Sequence, residues 1–264
     1  NHRVVSPDLP MFNKGHVRSK SSPSSRMELT QDRQRIEIPY EAPFDASREA
    51  LLERLRGEEK FNTATHALGL MLSLVGVPVL MSTVLRSGDL WQVVGCGVYG
   101  AALVAVYFAS TLSHAFERPR LRRLFRVLDQ AFIFLLIAGT FTPLSLSYLR
   151  GGAWWFLFGL VWGIAFVGFF SKIVFAHQVD AVSTVLHVTL GWLPVAAVKP
   201  MIGLVPGGLL WAMFYGGMCY TLGTFFLQRD ERVPYFHAVW HLLVIAGSVF
   251  HFLGIWQYCT VAPA

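Results

Sequence analysis

Long apolar stretches that carry almost no charge fill most of the chain between residues 65 and 258. An α-helix needs about 20 mainly apolar residues to cross the hydrocarbon core of a bilayer. Because no water is present there, each crossing segment must satisfy its own backbone hydrogen bonds, which favours helices. Charged residues make up 14% of the chain, whereas a soluble domain has about 25%. The sequence therefore predicts an all-α membrane protein.

Short polar connections divide the apolar region into seven segments, and each segment predicts one transmembrane helix. Short connections make successive helices antiparallel neighbours. Prolines inside the segments, at Pro78, Pro143 and Pro194, predict kinks. The predicted fold is a seven-transmembrane-helix bundle over residues 63–258. Its segments lie at about 63–85, 90–116, 125–148, 153–175, 182–202, 207–227 and 236–258.

The region before the first segment is polar. Residues 1–48 are rich in Ser, Pro, Arg and Gln and show no apolar periodicity, which predicts a disordered or loosely ordered tail. Residues 49–62 place Leu51, Leu52 and Leu55 on one side, which predicts a short amphipathic helix at the membrane surface. A plain charged linker is the alternative for this stretch.

Lys and Arg residues near the segment ends fall mainly on one side of the predicted bundle. Positive residues are enriched in cytoplasmic loops, so this bias predicts a cytoplasmic N-terminus and, with seven spans, an external C-terminus. It also accounts for the net charge of +6 without a nucleic-acid partner. The basic residues of the predicted cytoplasmic side are Arg54, Arg56, Lys60, Arg118, Arg120, Arg122, Arg123, Arg126, Lys172, Arg229 and Arg232, against Arg86, Arg150 and Lys199 on the other side.

The last segment carries histidines within an apolar span. Ionisable side chains are unfavourable in hydrocarbon and indicate a functional role there. His237 and His241 are four residues apart, so they lie on one face of a helix. In the predicted topology His114, near the end of the second segment, lies at the same depth close to the cytoplasmic face. These three histidines match the ligand set of a catalytic zinc site, which leaves one position for water.

Two further polar residues are predicted beside this site. Ser110 lies one turn before His114 and could form a hydrogen bond with a ligand or with the bound water. Asp129 lies at the same depth, where a buried carboxylate is tolerated near a cation. It could orient the water, accept its proton or fix the tautomer of a ligand histidine, or it could be a structural acceptor. Imidazole also suits copper, iron and nickel, so ligand type alone does not select zinc.

The remaining polar residues of the segments allow plainer interpretations. Asn62, Thr65 and His66 begin the first segment at the depth of the histidine site, and they either surround that site or cap the first helix. His251 lies about 15 Å along the helix from His241, too far to share an ion. Packing or solvent exposure is expected for His177, His187 and His251, and packing for Cys96, Cys219 and Cys259, which lack a metal-binding spacing.

Four separated motifs together resemble the hemolysin III family, the bacterial branch of the group that includes the progestin and adipoQ receptors. The match covers about residues 58–258, nearly the whole membrane part. The motifs are E-x-x-N-x-x-T-H-x-x-G at Glu59, Asn62, Thr65, His66 and Gly69; S-x-x-x-H at Ser110 and His114; Asp129 followed by IAGTFTP from Ile137 to Pro143; and H-x-x-x-H at His237 and His241 followed by GSVFHF.

The resemblance implies a seven-helix fold with a cytoplasmic N-terminus and one zinc ion bound by His114, His237 and His241. It places Ser110 and Asp129 around the metal-bound water. The receptor branch is associated with ceramide hydrolysis, and alkaline ceramidases share the motif pattern, whereas the bacterial branch is named for red-cell lysis. The family relation also implies a location in the bacterial inner (cell) membrane.

One departure from the family pattern is visible. Gln130 directly follows Asp129, at a place where the family often has His. This is not a ligand position, so the predicted site stays complete.

Three functions remain open. The first is a zinc-dependent membrane hydrolase that attacks a lipid amide such as a ceramide with metal-activated water in the cytoplasmic leaflet. The second is a seven-helix receptor or sensor with a structural zinc, and the third is a hemolysin-type cytolytic protein. The expected partner is a lipid substrate or ligand within the membrane, and the sequence does not identify a protein partner. A retinal protein is not expected, because segment seven has no lysine.

Overall fold

The computed structural model describes residues 42–175 and 180–261 of the chain, so most of the predicted tail and His177 lie outside the described residues. Regular structure in these ranges is helical, apart from one isolated β-bridge between Ile202 and Val205. The helices are α1 (Ala42–Ser87), α2 (Leu90–Ala115), α3 (Pro119–Tyr148), α4 (Ala153–Val174), α5 (Asp180–Trp192), α6 (Val198–Met201), α7 (Gly207–Leu227) and α8 (Phe236–Tyr258), with a short 3₁₀-helix at Leu193–Ala197 between α5 and α6.

The first helix is longer than the sequence predicted. The predicted surface helix at residues 49–62 and the predicted first span belong to one continuous helix of 46 residues, which begins within the predicted tail at Ala42. Residues 44–62 contain no proline, and a single Gly57 weakens a helix by only about 1 kcal/mol. The change from charged to apolar residues therefore does not interrupt the helix. Because Asn62, Thr65 and His66 lie well inside α1, they do not cap it.

Six helices of the described part are long and apolar enough to cross a membrane. Large apolar side chains cover their outer faces, with exposed fractions of 68% for Val75, 75% for Phe156 and 59% for Trp211. Apolar surfaces of this extent indicate contact with lipid. The six helical stretches are Glu53–Arg86, Leu90–Ala115, Pro119–Tyr148, Ala153–Val174, Gly207–Leu227 and Phe236–Tyr258.

The predicted fifth segment is not one helix. Helix α5 ends at Trp192, the 3₁₀-helix Leu193–Ala197 follows, and α6 ends at Met201. Pro194 lies at the start of the 3₁₀-helix. Proline has no backbone N–H and clashes with the preceding turn, so it interrupts an α-helix. The count of seven membrane spans therefore stays a prediction, since this segment lacks a single helix of spanning length.

Small residues let neighbouring helices approach each other closely. Gly95 of α2 faces the backbone of Pro143 in α3, so a methyl group added at Gly95 would lie 2.9 Å from the Cα of Pro143. A Cβ at Gly247 of α8 would lie 3.0 Å from the carbonyl oxygen of Gly216 in α7. Membrane helices have no hydrophobic force between them, so such close backbone contact supplies much of their association.

The opposite end of the bundle from the histidine residues is closed by polar contacts. Asp89 accepts a hydrogen bond from the backbone N–H of Gln92, whose side chain accepts one from the backbone N–H of Asp89. Arg150, just after α3, forms an ion pair with Asp89 at 3.0 Å. Partial burial acts to raise the pKa of Asp89, but these hydrogen bonds and the Arg150 charge lower it overall. The ion pair thereby links the start of α2 to the end of α3.

The Gly95 contact gives a test of the packing. We expect Gly95→Ala to destabilise the protein by about 1–3 kcal/mol, because the added methyl group meets backbone atoms that cannot move aside. Gly97→Ala is the matched control on the same helix, since its methyl group would lie 3.9 Å from Met81. The measurement is the thermal unfolding midpoint in detergent. Equal midpoints for the two variants would contradict the packing described.

Candidate metal centre

Three histidines from two helices meet at one end of the bundle. His114 lies in the last turn of α2, and His237 and His241 lie in the first two turns of α8. One ring nitrogen from each histidine lies within 4.8 Å of those of the other two. The ring centroids are 4.4 Å apart for His237 and His241 and 5.1 Å apart for His114 and His241. Nitrogens this close can contact one ion after small side-chain movements.

Each of the three rings is held through its Nδ1 atom. Nδ1 of His114 lies 2.9 Å from a carboxylate oxygen of Glu59, and Nδ1 of His237 lies 2.6 Å from a carboxylate oxygen of Asp230. Carboxylates accept hydrogen bonds, so both Nδ1 atoms donate. Glu59 also pairs with Arg122 at the start of α3, which fixes its position.

The third ring is held by a hydroxyl group. Thr65 Oγ1 lies 3.1 Å from Nδ1 of His241, and it donates its own hydrogen to the carbonyl oxygen of Asn62 at 2.9 Å. A hydroxyl has one hydrogen, so Thr65 accepts the hydrogen bond from His241. His241, with 1% of its surface exposed, is therefore protonated at Nδ1 like the other two rings.

These hydrogen bonds make the residues suitable for a metal ion. With Nδ1 protonated, the lone pair of each ring lies on Nε2, and metal-ligating histidines commonly donate their other nitrogen in this way. Neutral imidazole binds zinc well, and three histidines without a fourth protein ligand are typical of catalytic rather than structural zinc sites. The donor set of His114, His237 and His241 therefore fits zinc.

Ser110 and Asp129 lie beside the histidines in the described structure. Ser110 is one turn before His114 on α2, and its hydroxyl is placed to donate a hydrogen bond to the carboxylate of Asp129 on α3. The Asp129 carboxylate also interacts electrostatically with His237 and Arg126. Both residues line the same cavity as the three histidines. A carboxylate is thus available next to the candidate ligands.

His66 is packed against this group without a hydrogen bond. Its ring centroid lies 3.8 Å from that of His241 in an edge-on arrangement, and 4% of its surface is exposed. Neither ring nitrogen has a partner among the described residues. Asn62 is also buried, and its carbonyl oxygen orients Thr65. Asn62, Thr65 and His66 therefore surround the candidate metal centre.

A cavity of about 1300 Å³ opens from the histidines into the bundle. It is lined along α7 from Gly207 to Leu227, a helix of 21 residues and so about 30 Å long. Its histidine end is polar, and its body is mainly apolar. The apolar wall includes Leu136, Ile137, Leu144, Leu210, Met213 and Val244.

The histidines expected to pack lie elsewhere on the cavity wall. His251 donates from Nε2 to the carbonyl oxygen of Met213 at 3.2 Å. The ring of His187 lies 4.0 Å from that of Phe134 and forms a hydrogen bond with the backbone of Gln130. Neither belongs to the group of three within the described chain.

Two carboxylates that form hydrogen bonds with candidate ligand histidines were not predicted from the sequence. Glu59 was noted only as part of a motif, and Asp230 was not considered, because it lies in the polar connection between α7 and α8. Asp230 lies seven residues before His237 and outside the apolar segments, where a polar residue is not unusual. Such a carboxylate close to an isolated H-x-x-x-H pair is the signal that could have identified it.

The helices, the lipid-facing surface and the histidine group define an integral membrane protein with a candidate metal centre. The family model described as Haemolysin-III related matches residues 56–252, and the chain belongs to this family. The resemblance inferred from the four motifs is therefore confirmed.

Several relatives agree with this assignment. The chain is 36% identical to Hemolysin-3 of Bacillus cereus over 201 residues, which is 76% of this chain and 91% of the relative. It is 32% identical to the Hemolysin-3 homolog of Bacillus subtilis (strain 168) over 206 residues, 78% of this chain and 96% of the relative. The human monocyte to macrophage differentiation factor is 28% identical over 215 residues, 78% of this chain and 86% of that protein. No solved structure shows a significant match.

The Nδ1 contacts generate a test of the site. We expect Asp230→Asn to weaken zinc binding about 10–100-fold, because the hydrogen bond that orients His237 loses its negative acceptor. The measurement is competition with a chromophoric chelator in detergent solution.

Glu231→Gln is the matched control, since Glu231 lines the cavity mouth but forms no hydrogen bond with the three histidines in the described structure. If both variants bind zinc equally tightly, the orienting role of Asp230 is wrong.

Proposed function

We propose that the protein is a zinc-dependent hydrolase of a lipid amide, such as a ceramide, with its site in the cytoplasmic leaflet. One observation carries the proposal: three histidines, each fixed through Nδ1, face the polar end of a long apolar cavity. A structural zinc needs no such cavity, whereas a lipid hydrolase needs a place for an acyl chain beside its reactive group.

The proposed orientation rests on the charge distribution. The connection between α2 and α3 and the connection before α8 carry arginines, and both lie at the histidine end of the bundle. Positive connections favour the cytoplasmic side. In the proposed seven-span arrangement, the segment from α5 to α6 makes the fifth crossing although its helix is interrupted.

The protein residues have separate tasks in this proposal. His114, His237 and His241 would hold the zinc ion, which when bound would supply a Lewis acid and lower the pKa of a coordinated water to about 7. Glu59, Asp230 and Thr65 keep the three imidazoles in the tautomer that presents Nε2.

Asp129 is the proposed general base and acid. Its carboxylate accepts a proton from the attacking water and then delivers that proton to the nitrogen of the leaving amine. Ser110 orients this carboxylate through its hydroxyl hydrogen bond. The amide bond breaks to give a fatty acid and an amine, and the acid retains its chain in the cavity until release.

The cavity supports a lipid as the substrate class. Its apolar body follows α7 for about 30 Å, which is the length of the hydrocarbon core, and its polar end holds Ser110, His114 and Asp129. An amphiphile can therefore place its amide at the histidines while its chain stays in apolar surroundings.

Asp129→Asn tests the chemistry separately from metal binding. We expect it to keep its zinc and to hydrolyse a ceramide at least about 100-fold more slowly, because the isosteric amide is not a base. His237→Ala is expected to lose zinc. The measurements are zinc content by mass spectrometry and release of fatty acid, with Glu231→Gln as the control for a surface charge.

Two outcomes would contradict this proposal. If His237→Ala keeps full zinc occupancy, the ligand assignment is wrong. If the zinc-loaded protein hydrolyses neither amide nor ester lipids, the hydrolase proposal fails.

A receptor or sensor with a structural zinc is the second candidate. It is favoured by the way the site joins helices: the ligand histidines come from α2 and α8, and two of their partners, Glu59 and Thr65, come from α1. In that case zinc removal would lower the thermal unfolding midpoint, whereas Asp129→Asn would leave ligand binding unchanged.

A further inference from the structure

Three hydroxyl groups meet in the middle of the bundle, outside the group of His114, His237 and His241. Tyr107 of α2 donates a hydrogen bond to Ser248 of α8 at 2.9 Å. Tyr220 of α7 lies 2.8 Å from the same Ser248 oxygen. Tyr107 and Ser248 are buried, with 2% and 6% of their surfaces exposed. We call these residues the hydroxyl triad.

A count of hydrogens shows that one donor of the hydroxyl triad is unused. Each hydroxyl has one hydrogen, and the triad contains two hydrogen bonds. If Ser248 donates to Tyr220, the hydrogen of Tyr220 is left over; if Tyr220 donates to Ser248, the hydrogen of Ser248 is left over. Neither arrangement has a further acceptor among the residues that the structure describes. An unused buried donor is unfavourable, because it has lost its hydrogen bond to water.

The position of Tyr220 decides which hydrogen a ligand can reach. Tyr220 lines the cavity and is partly exposed to it, whereas Tyr107 and Ser248 are enclosed by the helices. When Tyr107 donates to Ser248 and Ser248 donates to Tyr220, the free hydrogen therefore belongs to Tyr220. Tyr220 is the one member of the triad that borders the cavity. The ring of His251 lies 5.4 Å from that of Tyr220, but its Nδ1 atom has no hydrogen-bond partner among the described residues, so it does not accept this hydrogen.

Other polar groups of this part of the wall are already satisfied. Trp192 donates to Thr221 at 2.9 Å, and Thr221 donates to the carbonyl oxygen of Gly217 at 2.8 Å. Thr140 donates to the carbonyl oxygen of Leu136 at 2.8 Å. These side chains have no spare hydrogen to offer a bound molecule, unlike Tyr220.

The hydroxyl triad lies at a defined distance from the metal centre. Ser248 follows His241 by seven residues on α8, which corresponds to about 10 Å along the helix axis. An extended acyl chain whose carbonyl end lies at the histidines covers this distance of about 10 Å with about eight or nine carbon–carbon bonds.

We propose that Tyr220 forms a second polar subsite, where its hydroxyl donates a hydrogen bond to an oxygen atom in the middle of the lipid chain. The ligand class is an acyl lipid that carries a hydroxyl or keto group near the middle of its chain rather than a plain alkyl chain. The inference rests on the proposed function for the placement of the carbonyl end at the histidines, and it adds a requirement on the chain.

Fatty acids test the subsite without any hydrolysis. Zinc-loaded protein in detergent is titrated with stearic acid and with keto-stearic acid whose keto group is at about carbon ten, each displacing a fluorescent fatty acid. We expect the keto acid to bind about five-fold more tightly, because it accepts the free hydrogen of Tyr220. A keto group moved next to the terminal methyl group is expected to give no gain.

Tyr220→Phe is the decisive variant, and the expected result is equal binding of the plain and mid-chain keto acids. Tyr215→Phe is the matched control on α7, since Tyr215 is 48% exposed and lies outside the cavity lining. Its preference should match that of the wild type.

Equal binding of the two acids by the wild type overturns the proposal, and so does a preference that persists in Tyr220→Phe. If Tyr220→Phe does not fold, the comparison of the two keto positions on the wild type decides. Because fatty acids contain no amide, a positive result here can accompany a negative hydrolysis assay, and the failure of either proposal is seen separately.

Discussion

The absence of water from the hydrocarbon core governs how the polar residues of this protein are arranged. In a soluble protein an imidazole nitrogen at a helix surface can rely on solvent, but in a membrane it needs a partner within the protein. The three clustered histidines each find one, and the partners come from α1 and from the connection before α8. The hydrogen bonds that prepare the rings for a metal are therefore the same ones that fix α1 to α2 and α1 to α8. His66, in contact with His241, has no such partner among the described residues.

Much of the fold follows from local properties of the sequence. Hydropathy and length identify the membrane helices, because each helix satisfies its own backbone, and the i, i+4 spacing of His237 and His241 places both on one face. The interruption at Pro194 was expected only as a kink, since the sequence does not show whether neighbouring helices will support the distorted turn. The length of α1 was missed because a charged-to-apolar transition marks the membrane surface without ending a helix.

The sequence predicted which residues form the candidate site but not the contacts between them. His114 could be placed with His237 and His241 because the predicted topology gives each residue a depth. Depth does not specify which side chains touch, so the contacts from Glu59 and Asp230 required the structure. The hydroxyl triad could not be predicted for the same reason. Tyr107, Tyr220 and Ser248 belong to three different apolar segments, and only their contact in the fold leaves three hydroxyl hydrogens for two hydrogen bonds.

Helix α1 supports two of the candidate ligands from positions six residues apart, Glu59 and Thr65. Each residue turns an α-helix by about 100°, so one residue inserted or deleted between them would rotate one partner away from its histidine while the other stayed in place. The residues between them include Lys60, Phe61 and Ala64, which are exposed. The helix therefore constrains the length of this stretch far more strongly than the identity of its outward-facing side chains, and gaps within it should be rarer among functional sequences than substitutions.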